Sequence, residues 1–130
     1  MRKRSSLRRL TVAPDTVCLW SLRHRHTDGE ACRDVLTLIL DGVRTRLVFV
    51  TGEGRAVGGG YLPSGLAVDE EGRYLNLHEP GVVAAFVDEA ARRGLLAEGG
   101  AYDGWELFEA VAVSRAAPPP AVPPDSPAGR

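Results

Sequence analysis

No stretch of this chain approaches the run of about 18 apolar residues that a membrane-spanning helix needs. The basic start, Arg2-Lys3-Arg4, is not followed by the apolar core of a secretory leader, so the expected compartment is the cytoplasm. Cysteine is scarce: Cys18 and Cys32 lack Cys-x-x-Cys spacing, and reduced thiols are expected, with Cys18 in a strand core. Lys3 is the sole lysine, and every other basic residue is arginine. Catalytic frames are also missing. Ser64 stands in Pro-Ser-Gly rather than Gly-x-Ser-x-Gly, and no paired carboxylates or activated cysteine–histidine pair is apparent. Gly52-x-Gly54 is followed by neither a helix start nor Gly-Lys-Ser/Thr, which excludes a phosphate-cradling loop.

What the chain does contain is a clear helix. Pro80 suits a first helical position because its missing N–H would find no partner there. Val83, Phe86, Val87 and Ala90 then recur at three- and four-residue steps, and Gly94 can take the left-handed position that ends a helix. Asp88 with Arg92, and Glu89 with Arg93, fall at acid-before-base spacing on the outer face. A lone helix of this length is not stable in water, so something must cover Phe86.

Residues 35–50 supply that cover. Asp41-Gly42 between two apolar runs predicts a tight hairpin. Its register pairs Leu40 with Val43, Leu38 with Thr45 and Leu36 with Leu47 on a buried face, leaving Ile39 with Arg44 and Thr37 with Arg46 on a wet one. Alternation predicts another strand from Val17 to about His26, and Leu7–Val12 offers one more. Gly104–Val111 fits either a strand or a short helix by periodicity. The expected fold is therefore α+β: an antiparallel sheet of about four to five strands with one amphipathic helix packed on one face.

The 130 residues read as one domain over 7–113, between a basic disordered arm at 1–6 and a Pro-rich disordered tail at 114–130 that holds six of the nine prolines. Arg2, Lys3, Arg4, Arg8 and Arg9 have no acid among them, so 11 of the 16 basic residues and all 17 acidic ones lie further on. Such an arm offers weak nucleic-acid binding, although an acidic body without interleaved aromatics argues against it. The Gly-rich loop from Thr51 to Gly65 ends in Tyr61, Leu62 and Pro63, which suit a contact with a partner.

One pattern points to metal chemistry. His24-x-His26 with Glu30 four residues on places two imidazoles on one strand face. This resembles the first metal motif of the cupins, and would imply metal-dependent action on a small molecule through His24, His26 and Glu30. Pro63-Ser64-Gly65 echoes the second cupin motif, but Val68 stands where its histidine is expected, and Cys18 where the first motif opens with glycine.

The strand with Trp20, the hairpin, Glu79-Pro80-Gly81-Val82-Val83 and the ending Arg92-Arg93-Gly94-Leu95 resemble a group of small uncharacterised bacterial α+β proteins. Their pattern is a strand, a β-hairpin, Thr-Pro-x-x-Val opening a helix that ends in Gly-Trp, and a closing strand. Glu79 replaces the capping threonine here and Leu95 the tryptophan. The resemblance implies a sheet with one helix across it and a closing strand at Gly104–Val111, and no particular activity. Together these features lead us to expect a non-enzymatic binding or adaptor protein, of regulatory or immunity type, with no cofactor and no membrane association. It would contact another protein through the helix face of Asp88 and Arg92 or through the Gly-rich loop, with an open sheet edge available for a homodimer.

Overall fold

The computed structural model describes residues 7–26, 29, 31–58 and 64–116. Its organising element is the hairpin. Asp41 and Gly42 both take positive φ, 54° and 80°, as the tight turn between right-twisted strands requires, and β3 (Arg33–Leu40) and β4 (Val43–Val50) pair in the expected register. β2 (Thr16–Arg25) pairs antiparallel with β3, and β1 (Arg8–Ala13) pairs with β2, adding strands close to where alternation puts them.

Beyond β4 the chain makes β5 (Ala56–Val57), β6 (Leu66–Val68) and β7 (Tyr74–Asn76), a small antiparallel sheet of its own. The segment expected to be one long loop from Thr51 thus holds β5, and Gly52 and Arg55 form a bridge within it. Helix α1 (Pro80–Arg92) begins at the proline, and Gly94 follows with φ 76°. Glu79 gives no side-chain cap; its carbonyl accepts the Val82 and Val83 N–H groups instead. A short α2 (Leu95–Glu98) leads to β8 (Gly100–Asp103), and α3 (Trp105–Ala116) completes the described chain. The main sheet has the order β1-β2-β3-β4-β8, with β8 parallel to β4 and every other neighbour antiparallel.

Three expectations need correction. Gly104–Val111 is not the closing strand: the closing strand is the four residues before it, and Asp103 Oδ1 accepts the Trp105 N–H at 3.0 Å to start a helix. Trp105, Phe108 and Ala112, with Leu107 and Val111, then fall at helical steps and are all buried, which a strand would not permit. The sheet is accordingly covered by more than one helix. Helix α3 also runs to Ala116, so residues 114–116 belong to the fold rather than to the tail.

One face of the main sheet is the core. Cys18, Trp20, Leu36, Leu38, Leu47 and Phe49 point to it and meet Val82, Val83, Phe86, Val87 and Ala90 of α1, with Leu107, Phe108 and Val111 of α3. At its centre the Phe49 ring sits edge-on to Phe86 (5.5 Å between centroids) and to Trp105 (5.4 Å). Trp105 Nε1 donates to the Val50 carbonyl at 2.9 Å, tying α3 back to β4. Gly104 touches the ring directly: a Cβ there would lie 2.4 Å from Phe49 Cζ.

Two stability changes follow. Gly104→Ala should lower the unfolding free energy by about 1–3 kcal/mol through overpacking against Phe49, read by urea denaturation. Thr45 is fully buried on the core face with an Oγ1 that has no hydrogen-bond partner, so the nearly isosteric Thr45→Val should gain about 1 kcal/mol in the same assay.

Candidate functional site

Among the described residues no helix lies on the opposite face of the main sheet. Strand alternation sends Val17, Leu19, Ser21, Arg23 and Arg25 of β2 to this side, with Arg33, Val35, Thr37 and Ile39 of β3 and Arg44, Arg46, Val48 and Val50 of β4. None of these apolar residues joins the core cluster. Arg9 of β1 shares the face, since it pairs with Leu19.

The arginines of the two sides differ sharply. On the helical and small-sheet side five are engaged by carboxylate, Arg55 by Glu70, Arg73 by Asp69, Arg92 and Arg93 by Glu89, and Arg115 by Glu79, while Arg8 lies over the Trp20 ring. On the open face Arg9, Arg23, Arg25, Arg44 and Arg46 make no ion pair among the described residues. Asp103, at the β8 edge, is the one carboxylate that strand register places there, and it is occupied capping α3. The result is a basic face on a chain whose net charge is −1. Leu7, Ser21, Arg23, Arg25, Val35, Thr37, Ile39, Arg44 and Arg46 line a shallow concavity of about 500 Å³ on it.

The residues singled out from sequence fall elsewhere. Asp88 and Arg92 do not pair: Arg92 turns to Glu89, which it shares with Arg93, and those two hydrogen bonds hold the Glu89 carboxyl below its usual range. Glu89 is mostly buried beneath the two guanidinium groups, so this patch of α1 is closed on itself. The two basic residues nearest the N-terminal arm separate, with the Arg8 guanidinium 5.0 Å from the Trp20 ring and Arg9 on the open face. Arg2, Lys3, Arg4, Glu30, Tyr61, Leu62 and Pro63 lie outside the described residues.

His24 and His26 do share a strand face, the core-side one, at the end where β2 leaves the sheet. Each is bound to its cross-strand neighbour: His24 Nδ1 lies 2.7 Å from Asp34 Oδ1, and His26 Nδ1 lies 2.9 Å from Cys32 Sγ. Arg23 and Arg25, which alternate with the histidines, are placed by strand register on the other face. Burial pushes the Asp34 carboxyl up, opposed by the hydrogen bond and charge of His24 and by His78 nearby. Among the described residues no three histidine, cysteine, aspartate or glutamate side chains group to hold a metal ion. The pairing of Cys32 with His26 is invisible in sequence, because only the β2–β3 register brings them together.

A second groove, of about 620 Å³, runs between the small sheet and the helices, lined by Leu66, Tyr74, Leu75, Val82 and Ala112. Its charged residues Arg73, Glu79 and Arg115 already satisfy one another or Asp69.

No family model, curated protein or solved structure matches this chain. Among the described residues no helix is long and apolar enough to cross a membrane. The arginine face was partly legible: the spacing of Arg44 and Arg46 put both on the wet side of the hairpin. That Arg23 and Arg25 join them depends on sheet order.

Asp34 Oδ2 is buried and has no partner, so His24 supplies the carboxylate's side-chain hydrogen bond. His24→Ala should therefore cost about 1–3 kcal/mol in urea denaturation at pH 7, and a double-mutant cycle with Asp34→Asn should recover part of that loss.

Proposed function

We propose that the protein is a non-catalytic docking module whose open sheet face receives an acidic protein partner. The observation that carries this is that Arg9, Arg23, Arg25, Arg44 and Arg46 make no ion pair among the described residues and share the side of the sheet on which no described helix packs. Arginine is favoured at protein interfaces because its planar fork pairs bidentately with carboxylate and its stem adds apolar contact. Between the guanidinium groups lie half-buried Val17, Leu19, Val35, Ile39 and Val48, a mixture suited to a protein surface with carboxylates around apolar side chains.

A protein is favoured over nucleic acid because, among the described residues, no Phe, Trp or Tyr stands on this face to stack a base. The adaptor role expected from sequence is kept, and its surface moves from the α1 helix to the sheet. Catalysis draws no comparable support: His24 and His26 are spent in separate pairs with Asp34 and Cys32.

The test is fluorescence anisotropy of a labelled polyglutamate peptide at low salt. Binding should weaken at least tenfold in the Arg44→Glu, Arg46→Glu double variant, weaken with added salt, and be unchanged in Arg115→Gln on the other side. Equal binding by all three proteins would discard the sheet face as the docking surface. Preference for a thymidine oligonucleotide over polyglutamate would replace the protein partner with a nucleic acid.

A further inference from the structure

At the middle of the open face two hydroxyls stand directly opposite each other. Ser21 of β2 pairs in register with Thr37 of β3, and each residue is only 8% exposed. Neither side chain makes a hydrogen bond among the described residues. Neither oxygen is itself buried, so both hydroxyls are open to a ligand, and they form the floor of the arginine-lined concavity. Arg46 is the register partner of Thr37, Arg23 is two residues from Ser21 on the same face, and Arg44 and Arg25 stand at the next positions along their strands. With strands about 4.8 Å apart and same-face residues about 6.6 Å apart, these guanidinium groups surround the hydroxyl pair. Among the described residues no carboxylate lines the concavity.

Resting on the docking role proposed above, we infer that this concavity is a phosphomonoester site, taking a phosphorylated serine or threonine of the acidic partner between Arg23 and Arg46 over the Ser21 and Thr37 hydroxyls. A phosphomonoester carries close to two negative charges and three acceptor oxygens, enough to engage two hydroxyl donors and two guanidinium forks together. A carboxylate has one charge and two oxygens and leaves part of that donor set unused. A phosphodiester in a nucleic-acid strand also carries one charge per unit, and calls for a basic track with stacking rings rather than a single closed-off floor. Leu7, Val35 and Ile39 around the rim suit the side chains that flank a phosphorylated residue in a polypeptide.

The experiment is a ¹H–¹⁵N NMR titration of the full chain at constant ionic strength with N-acetyl-phosphoserine methylamide, with inorganic phosphate, and with sodium chloride as the screening control. The expected result is saturable shifts confined to Ser21, Thr37 and the Arg23 and Arg46 side chains for both phosphate probes, and none for chloride. Arg46→Gln and the isosteric Thr37→Val should each weaken phosphoserine binding at least tenfold, with the rest of each spectrum unchanged as proof of folding. Non-saturating shifts spread over all the face's arginines would overturn the site. If polyglutamate still bound in that case, the docking surface would stand and only its phosphate specificity would fall; if neither bound, both would fall. An oligothymidylate that bound more tightly than phosphoserine and lost affinity in the same variants would also overturn the assignment, in favour of nucleic acid.

Discussion

The contact on which the rest of the structure depends is the Phe49 ring, held edge-on by Phe86 and Trp105 with Gly104 pressed against it. It joins β4, α1 and the start of α3 in one place, and so decides which face of the sheet is covered. Gly104 cannot carry a side chain there, and this close approach lets α3 begin directly after β8. Trp105 closes the arrangement by donating to Val50 at the end of the strand that holds Phe49. Because each aromatic ring adds both buried area and a directional contact, the cluster favours one packing over its alternatives.

Once that face is committed, the other must satisfy itself without help. It does so with half-buried valine, leucine and isoleucine interspersed with exposed arginines. The carboxylates that neutralise Arg55, Arg73, Arg92, Arg93 and Arg115 are all on the far side, in α1, the small sheet and its turns. An almost neutral chain is thereby divided into a paired, self-contained half and a basic half with donors to spare. This division is a property of the fold and would be broken if β2 or β4 slipped by one residue, since the arginines of that strand would then change sides.

The end of the sheet near His24 shows a different economy. Cross-strand register sets an imidazole against a carboxylate and another against a thiol, two positions apart, so each polar group meets a neighbour at once. Asp34 is too deeply placed to be hydrated, and its histidine is its compensation, which explains a buried acid in an otherwise apolar strand. Similar local logic shapes the turn after β6. There burial would raise the Asp69 carboxyl, but the Arg73 side chain and the backbone N–H groups of Glu71 and Arg73 hold it below the usual range.

Much of this was readable from residue order. The hairpin at Asp41-Gly42, its register, the start of α1 at Pro80 and its stop at Gly94, and the strand carrying Trp20 all rest on local rules: turn dihedrals, a missing N–H, and side-chain period. The helical nature of Trp105–Ala116 was not, because apolar spacing there fits two periods and the deciding contact, Gly104 on Phe49, spans more than fifty residues of chain. The candidate site divided the same way. Arg44 and Arg46 were placed on the wet side by the hairpin alone, whereas their meeting with Arg23, Ser21 and Thr37 required the order of strands, and their lack of ion pairs among the described residues required the tertiary positions of the acids there. The sequence by itself determined which residues share a strand face, since alternation is covalent geometry; the tertiary structure decided which face was left bare, since that depends on where the helices find their aromatic anchor.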